Sequence, residues 1–258
     1  MKNLQRQRAL VCGASAGIGR ATAMALAEKG AEVILLARRK ERLDSVKAEI
    51  ERKGGSAIVL LGDLDQRDQV VTDVQSIVKD GPITILINNT GGPKGGPILH
   101  ASEEEFLTAF SRHVLAGHRL LQTVLPGMKE RGYGRVINVI STSVYEPIPN
   151  LGVSNTTRGA MASWAKTVSR ELPAGITINN VLPGFTDTER LDQLKKGKAS
   201  KSGTSEEAVY QAWMAQVPEG RLAKPEETAA AIAFLASPEA SFIRGVSLAV
   251  DGGRLRSI

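Results

Sequence analysis

The chain has 258 residues, 42% of them apolar and 23% charged, the makeup of an ordinary soluble globular protein long enough for one large α/β domain. A single cysteine, Cys12, excludes an internal disulfide and a cysteine-rich metal site, so no metal is expected; no run is long enough to span a membrane, and the polar opening from Met1 to Arg8 lacks a signal-peptide core, so a cytoplasmic location is expected. The net charge of +6 comes from 33 basic and 27 acidic residues, interspersed and accompanied by few aromatics, which argues for solvated helix faces and against a nucleic-acid groove.

Strands and helices alternate almost to the end with no linker between them. Ala9–Cys12 reads as a buried strand and Arg20–Lys29 as an alanine-rich helix. Glu32–Ala37 is a second strand, followed by a charged helix over Lys40–Lys53 that stops at Gly54-Gly55. Ala57–Leu61 is a third strand, Gln66–Lys79 a helix, and Ile83–Ile87 a fourth strand running into Asn88-Asn89-Thr90-Gly91-Gly92. Three β–α units and a fourth strand predict a parallel sheet with right-handed crossovers and helices on both faces. Ser102 and Glu105 have capping-box spacing for one long helix through Arg131. Gly134–Ser141 is a fifth strand, Gly152–Leu172 a long helix, and Ile176–Leu182 a sixth strand stopped by Pro183-Gly184. A polar, lysine-rich excursion over Asp187–Lys201 follows, and Thr204 with Glu207 has the spacing to open a helix through Gln216; the stretch 187–216 is the candidate lid. Pro225 suits the first position of a helix over Glu226–Ala236, and Val246–Val250 is a last strand.

The chemistry begins at Gly13, Gly17 and Gly19, between the first strand and the first helix. Glycine permits a sharp turn and lets the backbone approach a ligand, while the free N–H groups opening the helix attract an anion such as a nucleotide pyrophosphate. The alternative is a tight turn without a ligand. At the end of the second strand stand Arg38 and Arg39, planar donors suited to a 2′-phosphate, where an acidic residue would favour NAD. NADP(H) is therefore expected over NAD(H), the alternative being two arginines that solvate a helix start.

These motifs, in this order, resemble the short-chain dehydrogenase/reductase family across nearly the whole chain. Gly13-x3-Gly17-x-Gly19 is similar to that family's cofactor turn, Asn88-Asn89-Thr90-Gly91 to its Asn-Asn-Ala-Gly, and Pro183-Gly184-x3-Thr188 to the segment over the nicotinamide. Gly220–Glu227, Phe234–Ser237 and Val250–Gly253 resemble stretches of bacterial 3-oxoacyl-carrier-protein reductases. The resemblance implies a single Rossmann-type domain over residues 1–258, with a doubly wound parallel sheet of seven strands. It also implies cofactor contacts from Ser15, Ala16 and Ile18 beside the three glycines, and from Asp63 and Leu64 after the third strand. Further contacts would come from Asn89, Thr90, Gly91, Arg158, Pro183, Gly184, Thr186 and Thr188. Asp63 is also suited to capping a turn. A small carbonyl or alcohol substrate and a homotetramer or homodimer, built on the two long helices, complete what the resemblance implies.

The match fails at the chemistry. The family uses Asn, Ser, and a Tyr-x-x-x-Lys pair on one helical face. Here His113 stands at the Asn position, Ser141 at the Ser position, Ser154 for Tyr and Arg158 for Lys. A serine hydroxyl is much less acidic than a phenol with a reference pKa of about 10, and a guanidinium does not readily release a proton. Losing a general acid costs ~10²–10⁴ in rate. His113 and Tyr145 are the candidate substitute donors; the alternatives are a helix-kink residue for His113 and a loop or pocket aromatic for Tyr145. The resulting expectation is an NAD(P)(H)-dependent carbonyl oxidoreductase with an atypical catalytic set, its rival a dinucleotide-binding protein without catalysis. Trp164 is expected in the core or at an interface, and Trp213 near the lid.

Overall fold

The apolar runs become the strands of one parallel sheet in a computed structural model that describes residues 3–257; Met1 and Lys2 of the polar opening, and Ile258, lie outside the described residues. The strands are β1 (Arg8–Cys12), β2 (Glu32–Ala37), β3 (Ser56–Leu61), β4 (Ile85–Asn88), β5 (Gly134–Val139), β6 (Ile176–Pro183) and β7 (Ser247–Val250). Their order is β3-β2-β1-β4-β5-β6-β7 with every neighbour parallel. A parallel sheet covered on both faces needs strands that are apolar on both sides, and Leu10, Ile34, Ile85, Leu86 and Ile87 are all completely buried. Each such side chain contributes about 1.5–3 kcal/mol of burial.

Helices α1 (Gly17–Glu28), α2 (Lys40–Arg52) and α9 (Pro225–Leu235) supply one core layer, through residues such as Leu26, Leu43 and Ile232. The opposite layer comes from α3 (Arg67–Val78), α5 (Ala116–Arg131) and α6 (Gly152–Glu171), through Val74, Leu120 and Ala165. Trp164 packs against this second layer and meets His118 edge-on at 6.2 Å. The strand order reverses between β1 and β4, so the connections leaving their C-terminal ends turn away from one another and leave a crevice, the usual ligand position in such sheets.

Three expectations about the elements need correction. The long helix after Ser102 is not uniform: α4 (Glu103–Phe110) passes through a π-helical turn at Ser111–Leu115 before α5 continues. The wide turn accommodates one extra residue per turn and directs His113 inward. The excursion over Asp187–Lys201 contains a true helix, α7 (Glu189–Ser202), because Thr188 accepts a hydrogen bond from Leu191 N and Gly203 ends it at φ +65°. The next helix, α8 (Glu206–Met214), is capped by Ser205 and not by Thr204.

Helices α7 and α8 surround an apolar cluster of their own. Trp213 stacks on Phe185 with centroids 5.0 Å apart, joined by Ala199, Val209 and Met214. Among the described residues no helix is long and apolar enough to cross a membrane.

Candidate cofactor and active site

The glycine turn lies at the edge of the crevice, and sterics fix its sequence. Gly13 has φ +65°, and a Cβ there would lie 2.7 Å from Asn89 Nδ2. A Cβ on Gly19 would come within 2.1 Å of the Gly13 carbonyl oxygen, an impossible overlap. Gly17, at φ +52°, faces Thr188 at the start of α7. The N-cap of α1 is Ala16, whose methyl group caps nothing, and the first turn of α1 carries no acidic residue. The opening amides of α1 therefore remain available to an anion. Ile18 anchors this turn against the core, while Ala14 N donates to Leu36 O at 3.2 Å and ties the turn to β2.

Arg39 reaches back from the end of β2 to the glycine turn and donates to Ser15 Oγ at 3.0 Å. Arg38 stands 3.6 Å from the Asp63 carboxylate, whose other oxygen accepts from Asp65 N at 3.1 Å and so caps the turn that begins with Leu64. The two arginines and Ser15 thus share one wall with the helix amides, a donor set that fits a phosphorylated adenosine ribose. Glu189, at the start of α7, accepts from Arg42 at 2.5 Å and from Arg39 at 3.5 Å. Those two guanidiniums hold its carboxyl below the usual range. Sequence reasoning passed over Glu189 because its partners lie about 150 residues away.

At the end of β4, Asn89 donates its side-chain amide to Cys12 O at 3.2 Å and so pins β4 to the glycine turn. Its neighbour Asn88 begins a buried ladder that crosses the sheet. Asn88 donates to Asn138, Asn138 to Asn180, and Asn180 to Ser247, at 2.9, 2.9 and 3.0 Å. Three amides at matching register are satisfied by each other, so the sheet holds them without an unpaired dipole. Burial raises the Cys12 thiol to about 12, leaving it inert beneath the turn.

The candidate catalytic residues are gathered unevenly. Ser141 follows β5 and accepts from Ser143 N at 3.1 Å, which leaves its own O–H free to donate. Ser154 and Arg158 stand one turn apart on α6. Arg158 is buried, donating to Val139 O at 3.0 Å and to Thr90 O at 3.4 Å. Burial, and then the nearby Arg190, lower its guanidinium to about 10, so it remains charged at neutral pH. His113 borders the same small cavity as Leu64, Asn88 and Arg158. Burial first, then Arg158 and Arg112, depress its imidazole from 6.5 to about 2. It is neutral under ordinary conditions and has no charge-borne proton to give. Tyr145 is half-exposed, and its hydroxyl donates to Ser247 O at 3.4 Å. Among the described residues no hydrogen bond links it to Ser141, Ser154 or Arg158.

The last segment closes over the crevice. A Cβ on Gly184 would lie 2.7 Å from Asp251 Cα, so Pro183-Gly184 is held tightly against the chain beyond β7. Buried Thr186 donates to Gly184 O, and Thr188 caps α7 directly above Gly17. Two residues on, Arg190 donates to Pro93 O at 2.6 Å. The chain near Thr90, Gly91 and Gly92 is thus approached from α6 and from α7. Arg190 carried no sequence signal beyond its position two residues after Thr188.

A doubly wound sheet with a glycine turn at its reversal defines a dinucleotide-binding domain of the Rossmann class. The chain belongs to the short-chain dehydrogenase/reductase family and is 3-oxoacyl-carrier-protein-reductase-like; the family profile described as Enoyl-(Acyl carrier protein) reductase matches residues 13–254. It is 32% identical over 259 residues to the NADPH-dependent reductase BacG of Bacillus subtilis, covering 99% of this chain and 100% of that one. It is 34% identical over 255 residues to the 3-oxoacyl-[acyl-carrier-protein] reductase FabG of Vibrio cholerae, covering 97% and 98% of the two chains. The crystal structure of L-sorbose reductase from Gluconobacter frateurii, complexed with NADPH and L-sorbose, superposes with a TM-score of 0.92 at 29% identity, covering 100% of this chain and 99% of that one.

Proposed function

We propose that this protein is an NADP(H)-preferring oxidoreductase that reduces a carbonyl compound, with NAD(H) as the weaker cofactor. The observation that carries the preference is Arg39 donating to Ser15 with Arg38 beside it, at the wall where the adenosine ribose would lie. The relatives named above as NADPH-dependent, or bound to NADPH, support the same reading.

In this reading Gly13, Ser15, Gly17 and Gly19 hold the pyrophosphate, Arg38 and Arg39 the 2′-phosphate, and Thr90, Gly91, Thr186 and Thr188 the nicotinamide end. The bound cofactor supplies hydride. Ser141 and Ser154 hydrogen-bond the carbonyl oxygen, and Arg158, one turn along from Ser154, places positive charge where negative charge develops on that oxygen. Electrostatic stabilisation of this kind replaces part of what a phenol would provide, and water completes the protonation. Segment 187–216 acts as the lid. We further infer a cytoplasmic homotetramer or homodimer assembled through α4, α5 and α6, supported by exposed Leu107, Phe110 and Leu115 on that stretch.

The test is to titrate NADPH and NADH and then follow cofactor absorbance with ketones, quinones and oxoacyl thioesters. Tighter binding of NADPH and turnover of at least one carbonyl class are expected. Binding without turnover would instead make the chain a dinucleotide-binding protein.

A further inference from the structure

Arg158 and Arg190 converge on one point. A Cβ built on Gly92 would lie 3.8 Å from Arg158 Nη2 and 3.7 Å from Arg190 Nη2. Two guanidiniums facing the same glycine repel each other, and Arg190 contributes to lowering Arg158. A third cation, Lys201, reaches the same loop and donates to Gly95 O at 3.4 Å. Carbonyl oxygens satisfy hydrogen bonds of these groups but do not neutralise their charge.

The nearby carboxylates are engaged elsewhere. Glu189 is drawn to Arg39 and Arg42, Asp192 to Lys195 and Lys196, and Asp65 to Arg112. Among the described residues neither Arg158 nor Arg190 has an acidic partner within 4.0 Å. Buried charge of one sign without a counter-charge is costly, and a fork of donors beside a glycine is well shaped for a planar anion. The position also matters. Arg158 is one helical turn from Ser154, and Gly92 lies two residues past Thr90, so the anion would sit beside the reacting carbonyl and not beside the adenosine.

We propose that Arg158 and Arg190 form an anion subsite at Gly92 that holds the carboxylate of an acidic carbonyl substrate, an oxo acid whose acid group lies close to its ketone. This rests on the carbonyl-reductase reading and names its substrate class. It also gives a physical use for arginine at position 158: a lysine there would offer one compact charge, whereas the guanidinium keeps two donors on backbone carbonyls and has others left for the ligand. The pyrophosphate of the cofactor is also an anion, so the experiment must separate the two sources.

Malonate and inorganic phosphate are titrated calorimetrically into the protein alone and into the protein saturated with NADP⁺. Malonate is expected to bind the NADP⁺-loaded protein more tightly than phosphate does, and Arg190→Gln to weaken it about ten-fold or more while NADP⁺ affinity stays within about two-fold. Arg190→Lys, which retains the charge, is expected to recover part of the loss. Loss of malonate binding on loading with NADP⁺, together with weaker NADP⁺ binding by Arg190→Gln, assigns the pair to the cofactor and overturns the proposal. Malonate binding that Arg190→Gln leaves unchanged, or no malonate binding in either state, overturns it as well. A kinetic arm compares acetoacetate with its methyl ester, the acid being expected to show about ten-fold higher kcat/KM or more. Equal use of both, or preference for the ester, refutes the subsite while leaving carbonyl reduction intact; failure to bind NADP⁺ refutes the underlying reading.

Discussion

The two ends of the crevice are built by different physics. At the β1–β2 end, the glycine turn is specified by space: Gly13 and Gly19 admit no Cβ, and backbone amides are the groups proposed to meet the pyrophosphate. At the β5–α6 end the groups proposed to work are charged or hydroxylic side chains from α6 and α7, which approach the loop after β4. Space-limited sites tolerate little change. Side-chain sites can change their chemistry while the fold persists; in the reading proposed above, Ser154 with Arg158 on α6 would be an example.

The comparison can be broken most severely at Gly19. Gly19→Ala forces a Cβ onto the Gly13 carbonyl, so NADPH binding is expected to vanish and the melting temperature to drop, a loss of ~3 kcal/mol or more. Calorimetry and thermal unfolding would read both. The opposite end is expected to accept exchange: Ser154→Tyr with Arg158→Lys restores a phenol beside an ammonium and is expected to raise turnover of a neutral ketone by ~10²-fold or more. A folded double variant with no gain would mean that these two substitutions do not suffice to install phenol-based proton transfer at this site.

Smaller effects sharpen the contrast. Arg39→Gln is expected to weaken NADPH by about ten-fold and to leave NADH nearly unchanged, since only NADPH carries the 2′-phosphate that Arg39, beside Ser15, is proposed to hold. His113 contributes a pH dependence. Its folded value is about 2 against 6.5 when exposed, so the unfolded chain takes up the proton first and stability falls as pH drops from 6.5 toward 2. The loss is about 1.4 kcal/mol per pH unit, and His113→Asn should flatten that slope in denaturation curves. Tyr145→Phe removes only a hydroxyl bonded to Ser247 O, so turnover is expected to stay within about two-fold. A larger fall would restore the phenol as the proton donor.

How legible each feature was in the sequence follows from its range. The strands β1 to β7 appeared as apolar runs because burial on both sheet faces demands them, and their ends were read within about two residues. The π-turn at Ser111–Leu115 was hidden, since the capping box at Ser102 signals only where a helix begins. Helix α7 was masked by its lysines, which read as a polar loop until Thr188 and Gly203 are seen to cap it. The asparagine ladder was equally invisible: Asn88, Asn138 and Asn180 are ordinary residues until strand register aligns them.

The sequence by itself determined the doubly wound sheet, the glycine turn at its reversal and the arginine pair after β2, because periodicity, backbone sterics and adjacency are local properties of a chain. Tertiary structure alone decided which charges are neutralised. Glu189 against Arg39 and Arg42, and Arg158 facing Arg190 across Gly92 with no acid among the described residues to pair either, depend on distances between residues remote in sequence. Coulomb energy and desolvation follow separation in space and burial, and neither is fixed until the helices have packed.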